Sequence, residues 1–241
     1  MRDSLQLPAD LSLAGEPIVI AGWRFETADS RISFSSGLDS KLVDEGQYTA
    51  KLVAFLHCIF PGLQVTIACL DSSHDDSAQF DEFDAFKALE SVIETGAPRV
   101  LVIPFQLQAD KDVSRSQVYA NITKLGFVSV IPLSFAHGST GKSAEERIAV
   151  LASPVAALQA RKEKEEVVCF PVAQFLREGD GTGKIVSNDA FGCLAAAGMA
   201  SLLMAKAPKR TSSEIIKAIH DSRIDPAYPI PSYEKASQLL R

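Results

Sequence analysis

Residues 136–143, AHGSTGKS, have the side chains to hold a phosphate. They fit the loose pattern A/G-x-x-x-x-G-K-S/T, with an apolar run before them and a helix-compatible stretch after. In such a loop the backbone amides and Lys142 would cradle phosphates while Ser143 bound magnesium. The chemistry also needs a later apolar strand ending in aspartate. VVCFPV (167–172) ends without one, and Ser143 with Glu146 serves equally as a helix cap. A nucleotide-binding enzyme stays open as an alternative. A second candidate is DSSHDDSAQFDEFD (71–84), which gathers carboxylates around His74. Hard cations want oxygens converging from a tight loop. This stretch lacks the glycine and the regular spacing, and Asp81, Glu82 and Asp84 suit the first turn of a helix, where they complement its dipole. A solvated loop and helix start is the expectation, with no metal and no cofactor.

Nucleophilic catalysis needs a base within hydrogen-bond reach of its nucleophile. His57 lies inside an apolar helical stretch and is expected to pack in the core. His137 and His220 have no serine or cysteine with a carboxylate in triad-like order. A hydrolase using Cys193 or Ser187 is a further alternative. The four cysteines, Cys58, Cys69, Cys169 and Cys193, are far apart with no CxxC pair, which disfavours zinc and redox sites. They are expected to be buried free thiols.

The 241 residues suit one large domain with a substantial core. Hydrophobic content of 46% and charged content of 22% are ordinary for a globular chain. A net charge of -6 with no basic stripe argues against nucleic acid. The longest apolar run, Leu194 to Ala207, contains Ser201 and Lys206 and is short for a membrane span. The start, MRDSLQLPADLSLAGEP, is polar and carries two prolines, unlike a secretory signal. The expectation is a cytoplasmic protein with no membrane partner.

Short β-rich runs alternate with helical stretches. EPIVIAG (16–22), LQVTIACLD (63–71), PRVLVIPFQLQ (98–108), FVSVIPLSF (127–135) and VVCFPV (167–172) read as strands. Residues 44–62 carry Leu52, Phe55, Leu56 and Ile59 at helical spacing and stop at Pro61–Gly62. Residues 77–96 and 113–126 are amphipathic or glycine-terminated helices. SNDAFGCLAAAGMASLLMAKAP (187–208) is a helix entered through a cap and left through proline, and TSSEIIKAIHDS (211–222) opens with Thr211 or Ser212 and Glu214 in a capping arrangement. Strands of four to eight residues between longer helices imply an α/β fold: a doubly wound, mainly parallel sheet with helices on both faces. One domain spans 1–241, with an N-terminal extension over 1–15 and a C-terminal tail over 223–241.

Taken in order, these pieces resemble the subtilisin-like serine proteases. The helix from 187, then Pro208 and TSSEIIKAI, is similar to that family's G-T-S-M-A-x-P-x-V-A-G-x-x-A-L-L, a proline, and a T-x-x-x-I helix. Ala197–Gly198 match its V-A-G step and Ser201–Leu202–Leu203 its A-L-L. Counting back from Gly198 places the nucleophile position at Ala190, with Asn188–Asp189 where Gly-Thr is expected. YTAKLVAFLHCIFPGLQVTIACL resembles the family's H-G-T-x-V-A-x-x-x-x-x-x-A-P-x-A-x-x-x-x-x-x-V, and counting back from Pro61 places the general-base histidine position at Tyr48. EPIVIAGWRFE is similar to the first catalytic strand, with Trp23 or Arg24 where the aspartate belongs. GFVSVIPLSF resembles G-V-x-V-V-A-A-A-G-N, with Phe135 at the oxyanion-hole asparagine. An unrelated doubly wound domain stays the alternative.

The resemblance implies the subtilisin-like fold with its chemistry lost. Alanine cannot attack, phenylalanine cannot donate, and a phenol with a pKa of roughly 10 is a poor base at neutral pH. The expectation is a pseudoprotease and not an enzyme. Peptide capture would survive, because holding an extended peptide as an added strand needs backbone groups and pockets, not a triad. The edge corresponding to the family's S-L-G strand is Pro104–Phe105–Gln106–Leu107, and a proline within a strand suggests an edge position. Tyr48, Phe135 and Ala190 would line the rest. The expected role is non-catalytic peptide binding that presents a ribosomal precursor peptide to a peptide-modifying enzyme, as in proteins of the crocagin type. A homodimer is the default assembly.

Overall fold

The computed structural model describes residues 5–7, 15–35, 46–69, 100–104, 126–132, 147–154, 157, 160, 167–177, 183–224 and 229–241. Its frame is a seven-stranded sheet in the order β2-β3-β1-β4-β5-β6-β7. The strands are β1 (Ile18–Gly22), β2 (Ile32–Phe34), β3 (Val65–Cys69), β4 (Val100–Val102), β5 (Val128–Pro132), β6 (Ile148–Leu151) and β7 (Val168–Cys169). Every pairing in this sheet is parallel. The sheet order explains the composition: β1, β4, β5 and β6 are interior strands, buried at every residue, so they read as unbroken apolar runs without alternation. One edge, β2, is part-exposed. The other edge is covered where Cys169 N–H donates to Pro229 O at 2.7 Å.

Three features escaped the sequence pattern. β2 and β6 are three and four residues long and follow polar stretches, so too few apolar residues stand in line to signal a strand. The third is a hairpin: β8 (Ala173–Arg177) and β9 (Gly183–Ser187) form an antiparallel pair that delivers the chain to the next helix.

Helix α1 (Gly46–Ile59) ends where expected, against Pro61–Gly62. Its 3.6-residue period buries Leu52, Leu56 and Ile59 and leaves Lys51, Ala54 and Cys58 on the solvent side. Cys58 is therefore exposed, which corrects the expectation of four buried thiols. Helix α2 (Asp189–Lys206) is the centre of the molecule, with every residue from Ala190 to Met204 buried. It touches β1, β4, β5 and β6 on one side and α1 on another. At 18 residues with a mean hydropathy of 1.2 it has the length and composition of a membrane span, but 83% of it is buried inside this fold.

Tyr48 meets Asn188, the Phe55 ring meets Phe191 edge-on at 4.8 Å, and Phe60 lies at Gly198. The contacts climb both helices together, so α1 and α2 run side by side in the same direction and begin at the same end of the sheet.

The capping arrangement at 211–214 forms as expected, with Thr211 and Glu214 making a reciprocal box at the start of α3 (Ser212–Asp221). Within 223–241 the residues from Tyr233 to Leu239 form α4, capped by Ser232 and packed on α2 and α3. Tyr233 N–H donates to Leu5 O at 3.0 Å, and Leu5 is fully buried. Pieces of both presumed end segments are thus built into the core. The opposite face of β6 and β7 carries a smaller apolar cluster of Ala149, Leu151 and Cys169 with Ala157 and Ala160, so both faces of the sheet are covered at these two strands.

Candidate functional site

The site forms where β1 ends and α1 and α2 begin. Trp23, one residue past β1, is buried, and its N–H donates to Thr49 Oγ1 at 3.0 Å. This bond ties the end of the strand to the first turn of α1. Tyr48 precedes Thr49, is half-buried, and packs against the main core. Its hydroxyl faces the side chain of Asn188. Asn188 caps α2, its Oδ1 accepting from Ala190 N at 3.1 Å and Phe191 N at 3.4 Å. Three positions expected to share a site, Trp23, Tyr48 and Ala190, thus come together. Arg24, the other residue considered for the first position, turns to Phe34, with its guanidinium 5.0 Å from the ring centroid.

The cap expected at the entrance of the 187–208 helix forms, and Asn188 is the residue that makes it. What no pattern carries is that this cap also reaches a side chain 140 positions earlier in the chain.

Two contacts fix the start of α2 against the sheet. Asp189 Oδ1 accepts from Ala152 N, just past β6, at 2.7 Å. Gly192 lets the helix lie close: a Cβ there would meet Val150 Cγ1 at 3.1 Å and Phe170 O at 3.3 Å. Ala190 itself is only 6% exposed.

Burial keeps the phenol and the thiols of this region neutral. It pushes the Tyr48 phenol above its ordinary range; the Asn188 amide, donating to its oxygen, opposes this, and the nearby Cys193 thiol adds to it. Burial, with Asp189 alongside, pushes the Cys193 thiol well up and raises Cys169 to about 12. A thiol attacks as its thiolate, so Cys193, fully buried, is no nucleophile in this conformation. That corrects the relocated-nucleophile alternative for Cys193. Ser187 is the last residue of β9, paired with Ala173.

The remaining candidates separate. β4 lies between β1 and β5 and stops at Val102, so buried Pro104 stands past the end of an interior strand, not within an edge strand. Phe105, Gln106, Leu107 and Phe135 lie outside the described residues. So do AHGSTGKS (136–143), the acidic run 71–84 and His137. Among the described residues no three His, Cys, Asp or Glu side chains are grouped to hold a metal.

His57 is part-buried at the surface of α1. Its Nε2 faces Leu63 O at 3.1 Å, and its Nδ1 lies 3.6 Å from Asp29, which forks onto Arg31. Burial and Arg31 hold its pKa down. His220 is buried on α3, its pKa lowered to about 4 by desolvation.

No protein-family model matches the sequence, and no curated protein matches it. Solved structures do match. The patellamide maturation protease PatA superposes with a TM-score of 0.62 at 14% identity, over 95% of this chain and 98% of that one. The PatG macrocyclase in complex with peptide gives 0.60 at 13%, over 94% and 92%. A lanthipeptide protease gives 0.56 at 11%, over 94% and 89%. The fold is subtilisin-like. At these identities the likeness concerns architecture, and it runs across nearly the whole chain.

The expectation of a non-enzyme is overturned by the same structures, which are by name proteases and a macrocyclase. The residues at 23, 48 and 190 say only that no acid–base–nucleophile triad of the usual kind stands at those three positions.

Proposed function

We propose that this subtilisin-like domain binds a ribosomally made precursor peptide across the cleft at the heads of α1 and α2, in a cytoplasmic pathway that makes modified ribosomal peptides. The observation that carries this is the meeting of half-buried Tyr48, at the head of α1, with Asn188 and Ala190 at the head of α2. The names of the matching structures support the peptide: maturation proteases of such products, and a macrocyclase solved with a peptide bound. The peptide lies extended, with main-chain hydrogen bonds giving affinity and pockets giving selectivity. Contacts to the peptide are assigned in this proposal to Pro104, Phe105, Gln106 and Leu107, with Tyr48, Phe135 and Ala190. The bound peptide is presented to a peptide-modifying enzyme, a role like that of peptide-binding proteins of the crocagin type, and the domain works as a homodimer.

The test is calorimetric titration of synthetic precursor peptides encoded beside this chain's gene. A dissociation constant well below about 1 mM, some 4 kcal/mol of binding, is expected. If none of them binds that tightly, peptide capture is refuted. The titrated samples then go to mass spectrometry, where a cleaved or cyclised product would assign bond chemistry to this chain in addition to capture.

A further inference from the structure

Asp29, Arg31 and His57 meet at the end of the sheet where β2 and β3 begin, away from the candidate site. The connection from β1 to β2 folds on itself there. Asp29 Oδ1 accepts from Arg31 N at 2.9 Å and from Arg31 Nε at 2.8 Å, and its Oδ2 accepts from Arg31 Nη2. The same guanidinium donates through Nη1 to Pro61 O, in the turn after α1. One arginine thus clasps the β1–β2 connection to the end of α1.

The His57 side chain, 9% exposed, stands against this clasp. Its Nε2 lies 3.1 Å from Leu63 O. A carbonyl oxygen only accepts, so Nε2 carries the proton of the neutral ring. Nδ1 then turns a lone pair to Asp29 Oδ2, 3.6 Å away. Two acceptors face each other, and a proton on Nδ1 converts them into a charged pair. Asp29 stays ionised throughout, because the bonds from Arg31 hold its carboxyl well below the usual carboxylate range. Among the described residues the charged groups facing His57 are Asp29 and Arg31, and the turn before β3 contributes the Leu63 carbonyl. Helix α2, which packs on α1, has no acidic or basic side chain between Ala190 and Ala205.

A protonated ring competes with Arg31 for Asp29 and repels its guanidinium. We propose that this cluster is an acid-operated clasp: a proton on His57 Nδ1 takes Asp29 Oδ2 from Arg31 and frees Arg31 from Pro61 O, loosening the β1–β2 connection from the end of α1. The neutral ring is the closed state. Burial and Arg31 disfavour the proton by more than Asp29 and the Leu63 carbonyl favour it, so the His57 pKa falls below its ordinary 6.5. The clasp is therefore complete above 6.5 and opens as pH falls through the lower value of the folded chain. It fastens the base of the helix whose head carries Tyr48.

The test is NMR of the 15N-labelled full chain, taken from about pH 8 down to 4.5. At the upper end the His57 ring is expected to carry its proton on Nε2 alone. On acidification the ring should titrate below its ordinary value, and the Arg31 backbone N–H and Nε–H signals should shift with the same midpoint. Arg31→Gln is expected to raise that midpoint and Asp29→Asn to lower it. His57→Gln keeps an N–H donor but takes no proton, so its Arg31 signals should show no transition at the His57 midpoint. A neutral ring protonated on Nδ1, or a midpoint at or above the ordinary value, would overturn the clasp. So would Arg31 signals that ignore the His57 midpoint, or the same transition persisting in His57→Gln. The first three of these are read on wild type, so a variant that fails to fold leaves the test intact.

Discussion

Gly198→Ala is a test in which two well-known effects pull in opposite directions and the structure decides between them. In an exposed helix interior the change would stabilise by about 1 kcal/mol, because alanine has the better helix propensity. Here a Cβ at residue 198 would overlap the Phe60 ring, coming within 2.7 Å of Cζ and closer still to Cδ2 and Cε2. Carbon atoms in ordinary contact stay about 3.5–4.0 Å apart. The ring cannot swing clear: Phe60 is 1% exposed, its N–H is bonded to Leu56 O at 2.8 Å, and Pro61–Gly62 turn the chain immediately after it.

Overpacking of a closed core costs about 1–3 kcal/mol. Overlap with three ring atoms puts Gly198 at the upper end of that range. Net of the propensity gain, the loss is about 2 kcal/mol. For a chain of this size that lowers the thermal midpoint by roughly 4–8 °C, read by calorimetry or urea unfolding. The compensating variant Gly198→Ala with Phe60→Leu should regain part of the loss. A midpoint equal to or above wild type for Gly198→Ala alone would refute the claim that α1 and α2 are locked together at this level. The matter bears on the site, because that packing sets how Tyr48 on α1 meets Asn188 at the head of α2.

Two further outcomes test other parts of the description. His220 is held neutral in the fold at a pKa of about 4 against an ordinary 6.5. The unfolded chain therefore takes up a proton first as pH falls, and stability present above 6.5 is lost between 6.5 and about 4, by about 3 kcal/mol at most. Denaturant unfolding at neutral pH and near pH 4.5 should show this loss in wild type beyond that in His220→Phe; parallel pH profiles for the two would contradict it. Iodoacetamide applied to the native protein should label Cys58 and spare Cys69, Cys169 and Cys193, with all four labelled after unfolding. Native-state labelling of Cys193 would show that its pocket opens and that its thiol can react.

Much of the frame is written in local sequence. The runs IVIAG, VTIAC and VSVIP are buried strands because their residues are apolar at nearly every position, which only a sheet covered on both faces demands. Helix α1 stops at a Pro–Gly step and α3 starts at a Thr–Glu box, both settled within a few residues. Where the signal was weak it failed: β2 and β6 have only three and four residues, β8 and β9 (AQFLR and GKIVS) mix apolar with polar residues and glycine, and α4 hides among polar residues because seven residues make barely two turns.

The same division runs through the site. Alanine at 190, tyrosine at 48 and an Asn cap at 188 can be read from the chain, and so can the chemistry that alanine lacks. That Asn188 spends its oxygen on α2 and turns its amide to Tyr48 depends on two helices laid in parallel on one sheet. The helical period of α1 puts Cys58 on the solvent side, but that Cys193 is sealed away follows only from how α2 packs. Caps, stops and apolar periods are settled by neighbours a few residues apart, so the sequence determined them by itself. Which side chains meet at the head of α2, and which of them keep their protons, was decided by contacts between residues up to 140 positions apart and by the burial those contacts create.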